Sequence, residues 1–478
     1  MIPPIFFRLR LWHAGVAGLV WVAAGAAQAQ TSRWADPWGM AARASSHATP
    51  GVQHRSDAAV ACPAGSPSTP LPLAEAVERA LCQQPRTREA WAVARGAAAE
   101  LGATRAAYLP QVSAELDTSR TRQRFTGIPD TFAANTRGGS LRMSWVLADF
   151  GRRDARHAQA RAVLDAANAS HDSAVQRVFL DTVQAYFEAL ASEASANASR
   201  EAEQIALAGL DIVRGRQEGG AVGMADQLQA KTAAARTTAN RLTAQATARK
   251  QRAVLATALG LPPGAALTLP RTEELQLRDD PLPSADDLAG LAIQSHPALI
   301  HARAEVQAAE QRRAAALAEG RPVLTVSGQQ AHTPPPGNNP VAPSRVAAVG
   351  VQLSVPLFQG FEPRYRAQAA AADAEARAAA LETLQRQVHL DIWRAHVDWE
   401  ASQAQRRAAT DLLQTATQSE QLARERYRQG VGGILDWLSA RGVLDEARLA
   451  SVRADTDVRA SRLRLAASTG RLGLWMLR

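Results

Sequence analysis

Residues 349–360 read VGVQLSVPLFQG, and from Arg364 to Gln429 the chain then contains neither glycine nor proline. Two periods meet here. Val349, Val351, Leu353 and Val355 alternate with Gly350, Gln352 and Ser354, the period of two of a strand with one apolar and one polar face. Beyond Gly360, Leu381, Leu384, Val388, Ile392, Ala395 and Trp399 recur at helical spacing in a narrow, alanine-rich stripe, as expected where helices pack closely along their whole length. The uninterrupted run holds 66 residues. At 1.5 Å per residue it predicts a helix of roughly 100 Å, whereas globular helices average about 11–12 residues.

The same junction occurs earlier. VLADFG at 146–151 closes a segment in which Leu141, Met143 and Trp145 alternate with Ser140, Arg142 and Ser144, and Arg152 to Ala208 again lacks glycine and proline. Other landmarks repeat with it: Gln84-Pro85 and His296-Pro297, Glu188-Ala189 and Glu400-Ala401, Ala258-Leu259-Gly260 and Ser468-Thr469-Gly470. The segment from Gly220 to Leu228 (GAVGMADQL) answers Gly430 to Leu438 (GVGGILDWL). An offset held near 210 residues over such landmarks marks a duplication. The repeats are expected at 71–265 and 266–478. Each predicts an alanine-rich helix (about 73–107; about 286–319), two strands, a very long helix, a glycine-rich turn and a returning helix of about 35 residues. The strands are expected at about 111–121 and 139–148, then 323–332 and 346–355, with 323–328 alternating least. Thr126 to Gly139 and Thr333 to Ser344, polar and rich in glycine or proline, are expected as loops.

The amino terminus predicts an export signal over 1–29. Arg8 and Arg10 are basic, Leu11 to Ala24 is apolar, and Ala27-Gln28-Ala29 is a small-x-small cleavage site. The residue after the cut, Gln30, is not a lipidation cysteine. Residues 30–70 have no period and are expected to form a disordered or loosely draped arm. No later stretch is long and apolar enough for a membrane helix, which leaves a soluble periplasmic protein or a β-barrel, whose strands expose only every second residue to lipid.

The net charge is +9, carried almost wholly by arginine, with Lys231 and Lys250 the only lysines. These arginines are interspersed with acids along helices and read as solvated faces, so no nucleic-acid partner is implied. Cys62 and Cys82 are the only cysteines. In an oxidising compartment they either pair, contributing about 3 kcal/mol, or remain two thiols. Catalytic signatures (G-x-S-x-G, H-E-x-x-H, a Walker loop, C-x-x-C) are absent, and the ten histidines are scattered. His389 and His396, seven apart on one helix, are a weak metal signal that helix-edge positions explain better. The chain reads as a non-enzyme without cofactor or metal.

The order of elements, the strand ends at Phe150-Gly151 and Phe358-Gln359-Gly360, and the turn from Tyr427 and Gly430 to Asp436 and Leu438 resemble the TolC family of outer-membrane factors over nearly all of 71–475. The first-half turn, Gln217 to Gln229, departs by lacking the tyrosine. The resemblance implies a mainly α fold with a membrane β-barrel, in which a homotrimer shares twelve strands and continues as a periplasmic α-helical tunnel. It implies tips that dock on a periplasmic adaptor (membrane fusion) protein, here Gly220, Val222, Gly223, Gly430, Val431, Gly432 and Gly433. It implies an inner-membrane ABC transporter or other pump behind that adaptor. It also implies an ionic gate near the tips, at Asp436 and Asp226, with Arg424, Arg426 and Arg441 as nearby counter-charges. The family's second acidic position is Ser439 here, which thins the ring. Tyr108, Phe150, Phe358 and Phe361 are expected as an aromatic belt where the barrel meets lipid. The missing lipidation cysteine and the arm lean toward type I protein secretion rather than small-molecule efflux, and the overall likeness implies an exporter for a toxin of the adenylate cyclase-haemolysin type. A periplasmic coiled-coil adaptor or scaffold, the alternative from another class, predicts one helical hairpin and no membrane strands, against two hairpins and two strand pairs here.

Overall fold

The computed structural model describes residues 36–45, 65–124, 131–270, 283–333 and 344–470. The first half runs α1 (Leu73–Gln83), α2 (Pro85–Ala106), β1 (Gln111–Arg124), β2 (Thr131–Ala148), α3 (Arg152–Glu218) and α4 (Met224–Ala258). The second repeats it as α5 (Ala285–Ser295), α6 (Pro297–Ala318), β3 (Val323–Thr333), β4 (Ser344–Ser354), α7 (Glu362–Arg428) and α8 (Ile434–Ser468). The predicted mainly α, duplicated architecture is thus observed. Helices α3 and α7 have 67 residues each, and α4 and α8 have 35 each. The strands form one antiparallel sheet in the order β1-β2-β3-β4, leaving one edge of β1 and one of β4 without a partner in this chain.

Small side chains let the long helices approach closely. Ala160, Ala167, Ala185, Ala189 and Ala196 are among the buried positions of α3, which packs against α4, α6 and α2. The largest apolar cluster joins the halves: Val175, Phe179 and Tyr186 of α3 meet Val77 of α1, Leu255 of α4 and Leu463 of α8. The buried Tyr186 hydroxyl donates to the Leu71 carbonyl at 2.9 Å, satisfying the one polar atom it carries into this core. A smaller cluster in the second half gathers Leu288, Leu299, Val388, Ile392 and Leu465.

The two Gly landmarks and the two X-Pro landmarks turn out to be contacts. A Cβ at Gly260 would lie 2.6 Å from Gln83 Cβ, and one at Gly470 would lie 2.8 Å from His296 Cα. In each half the glycine ending the returning helix abuts the break between the first two helices. That break corrects the expectation of single helices over 73–107 and 286–319. Proline clashes with an α-helical residue before it, so Gln84 (φ −67°, ψ 127°) and His296 (φ −70°, ψ 120°) are extended, and Pro85 and Pro297 each begin a new helix.

Two other expectations change, and the first long helix runs on past its glycines. Strand β2 begins at Thr131, so Thr131 to Gly139 is strand rather than loop, its backbone paired with β1. Helix α3 continues through Gly209 and Gly215 to Glu218, because tertiary packing outweighs the roughly 1 kcal/mol propensity cost of each glycine. Within the expected disordered arm, Asp36–Ser45 is ordered. Met40 and Ala44 are buried against α2 and α3, and Asp36 accepts from the Met40 and Ala41 amides at 2.8 Å each. Cys82 is disulfide-bonded. Cys62, the expected signal over 1–29 and most of the arm lie outside the described residues.

Candidate functional site

Two regions carry the expected functional residues, one at each end of the long helices. At the sheet end, each strand pair leads into its long helix through a left-handed pair: Phe150 (φ 52°) with Gly151 (φ 100°), and Gly360 (φ 60°) with Phe361 (φ 64°). A phenylalanine in that region is strained, and it persists only where its surroundings hold it. Phe150, Phe358 and Phe361 are 54%, 75% and 62% exposed, and the rings of Phe358 and Phe361 meet edge to face at 5.5 Å. Leu357, which the sequence reading passed over, is 93% exposed beside them.

Tyr108 behaves differently. It is half-buried, and its hydroxyl donates to Asp154 Oδ1 at 2.5 Å. Arg153 lies 4.9 Å over its ring, and its carbonyl accepts from Trp145 Nε1 at 2.9 Å. Burial and the Asp154 charge push its hydroxyl pKa up to about 12. Beside it the buried Asp149 accepts from Arg153 Nε at 3.2 Å, while the guanidinium donates to the carbonyls of Ala107, Val146 and Leu147. One arginine thus ties the end of α2 to the end of β2. Arg321, beyond α6, donates to the Phe150 carbonyl at 2.6 Å and links the two halves. Sequence reasoning missed both arginines; Asp149 and Arg153, four apart across the Phe-Gly junction, were the available signal.

At the other end, α3 turns into α4 and α7 into α8 through Gly219–Gly223 and Gln429–Gly433. Gly220 (φ 71°) and Gly430 (φ 75°) are left-handed. The Ala221 amide reaches back to the Arg216 carbonyl at 2.8 Å, and Val431 to Arg426 at 3.0 Å, the bond that closes a helix end through a glycine. Val431 is 74% exposed, Gly223 and Gly433 are the N-caps of the returning helices, and Gly432 sits against Arg426, whose Cβ would be 3.0 Å from an added Cβ. Val222 instead packs inward.

Asp226 and Asp436 occupy the first turns of α4 and α8, the first half-buried and the second exposed. Among the described residues Asp436 makes no ion pair. Of the expected counter-charges, Arg441 pairs instead with Asp445 at 2.8 Å, one turn along α8. What joins the hairpins here is Arg216, unremarked in the sequence. It lies 4.8 Å over the Tyr427 ring and donates to the carbonyls of Tyr427 and Arg428 at 3.1 Å each, so a cation caps the carboxyl end of α7. Tyr427 stacks on Trp437 at 5.4 Å, and Trp437 Nε1 donates to the buried Glu420 at 3.0 Å. Gly209 lies against this indole, which is 3.4 Å from where an added Cβ would stand.

An alignment model for the outer membrane efflux protein family matches residues 76–261 and again 288–471, one match per half. The chain belongs to that family. As an outer membrane efflux protein it is a channel-type protein of the outer membrane, with its helical domain in the periplasm. Protein CyaE of Bordetella pertussis (strain Tohama I) is 29% identical over 404 residues, 84% of this chain and 85% of that one. The outer membrane channel CmeC of Campylobacter jejuni superposes with a TM-score of 0.75 at 18% identity, covering 84% of this chain and 86% of that one. The outer membrane protein VceC of Vibrio cholerae gives 0.72 at 22% identity, covering 83% and 96%. Family and fold are those of channels, not enzymes.

Proposed function

We propose that this outer membrane efflux protein is the passive outer-membrane conduit of a type I protein-secretion system. It works as a homotrimer whose tips, Gly220–Gly223 and Gly430–Gly433, dock on a periplasmic adaptor fed by an inner-membrane ABC transporter. The cargo is a polypeptide, of the adenylate cyclase-haemolysin toxin type. The observation that carries the choice of cargo is the 29% identity with Protein CyaE across 84% of the chain. The sheet supports association between copies: four strands with two open edges would leave unpaired backbone groups in lipid, at several kcal/mol each, unless neighbouring copies pair them. Energy comes from the pump, and this chain supplies the hole and the gate. Small-molecule efflux is the second reading, favoured by the family's description.

The test is reconstitution in a Gram-negative host stripped of its own channels of this family, with adaptor–pump pairs of each kind. Polypeptide in the medium, dependent on this chain and a type I pair, is the expected result. Restored drug resistance without polypeptide export would replace the first reading by the second.

A further inference from the structure

The sheet carries a pattern that conduction does not need. Residues paired across a sheet point to the same side, so the register sorts its side chains onto two faces. On one face lie Val112 and Leu116 of β1, Leu141 and Met143 of β2, Val326 of β3 and Val349 and Val351 of β4. Glu115, Asp117 and Arg142 are on the other, where Arg142 pairs with Glu115 at 3.0 Å. In an outer-membrane barrel the apolar face meets lipid and the polar face lines the lumen.

The apolar face changes character along each strand. Away from the helices it turns basic at Arg120 on β1, Arg137 on β2, His332 on β3 and Arg345 on β4, with Arg122 two residues farther along β1 on the same face, all exposed and all of the same parity as the apolar residues below them. Among the described residues this face has no acid, and none of these four arginines makes an ion pair. Solvated surfaces usually mix signs, so a one-sign rim calls for an anion outside the chain.

Its height is set by the strands themselves. Arg120 is nine residues from the helix-side end of β1 at Gln111, His332 nine from Val323, and Arg345 nine from Ser354. Arg137 is eleven from Ala148, and the β-bulge between Val146 and Ala148 takes up one of them. Nine residues at about 3.3 Å, tilted by about 40°, rise roughly 23 Å, close to the apolar band of about 25 Å on such barrels. In the register Arg120, Arg137 and His332 are staggered by two residues from β1 to β2 and again from β2 to β3, with His332 directly opposite Arg345, as in tilted strands, so the four lie in one band at about that level. Since the helical domain is periplasmic, that level is the outer-leaflet headgroup layer.

We propose that Arg120, Arg137 and Arg345, with His332, form an outward basic rim that binds the phosphate groups of outer-leaflet glycolipid. The occupant follows from charge and position together: a phosphate held where lipid tails end, which arginine meets with paired donors. This rests on the outer-membrane placement of the family and not on the cargo.

The test uses the full chain purified from outer membranes and titrated with detergent micelles containing lipid A. At about 1 kcal/mol per basic residue at an anionic surface, each Arg→Gln change should weaken binding roughly fivefold, and R120Q/R137Q/R345Q together about 100-fold. Dephosphorylated lipid A should bind wild type as weakly as lipid A binds the triple variant, and R142Q on the lumen face should bind normally. Millimolar inorganic phosphate should not compete. Heat-modifiable migration verifies that each variant is a folded barrel, and the single variants carry the test should the triple variant misassemble. Unchanged affinity in folded variants, indifference to dephosphorylation, or displacement by inorganic phosphate would each overturn the proposal.

Discussion

Asp436 and Asp445 lie on the same helix nine positions apart and face opposite situations. Asp436 is exposed in the first turn of α8 without an ion pair among the described residues. In the proposed trimer and gate, three such carboxylates would meet where the tunnel narrows, and like charges there repel until cations or arginines of neighbouring copies neutralise them. Asp436→Ala is expected to change single-channel conductance in a planar bilayer and to lower cation selectivity. If the residue only complements the helix dipole, worth roughly 0.3–1 kcal/mol, both quantities will stay as they were. Asp445 is mostly buried, and burial holds its carboxyl pKa above the ordinary carboxylate value although Arg441 and Arg448 pull it down. Between the ordinary and the raised value the folded chain keeps a proton that the unfolded chain has lost. Stability from this group therefore falls as pH rises through that window and is level above it. Melting temperatures of detergent-purified protein across the acidic range should show this slope, and Asp445→Asn should flatten it. The gate position at Asp436 came with the family resemblance, whereas Asp445 was not legible, because it looks like any helical acid until the packed fold buries it.

At the scale of elements, the turns are where sequence and structure agree most closely. Gly430 was singled out by its place in a repeated glycine run, and its φ of 75° shows why: an L side chain there clashes with its own backbone. Valine, β-branched, costs roughly 1–3 kcal/mol at such a position, too little to unfold 67-residue helices but enough to rearrange a four-residue turn. Gly430→Val should leave the amount and heat-modifiability of the outer-membrane protein unchanged while reducing export. Undiminished secretion would remove this turn from the docking surface. The clasp beside the turn was not legible. Arg216 and Tyr427 are 211 residues apart, and no local pattern relates them. The helix breaks at Gln84 and His296 were half legible: both X-Pro pairs stood out as landmarks, but the alanine-rich pattern on either side concealed the discontinuity.

For the whole molecule, the open edges of β1 and β4 are the governing fact. A lone sheet in lipid is untenable, and three copies joined edge to edge remove every edge. Protein extracted in mild detergent should therefore run as a heat-modifiable trimer in the outer-membrane fraction. A soluble periplasmic monomer would defeat both the conduit and the lipid-rim proposals.

What the sequence determined by itself was everything that repeats. Strand alternation, the long helical runs and the duplication near 210 residues are periodic, and a period is set by backbone geometry that each segment carries locally. From them came the fold class and the family. Tertiary structure alone decided what depends on distant segments meeting: Arg153 gathering carbonyls from the ends of α2 and β2, Arg321 reaching the Phe150 carbonyl 171 residues away, and Arg216 capping the end of α7. Such contacts have no period. They arise from the relative position of packed helices, and a side chain's reach of a few ångströms is decided by that packing.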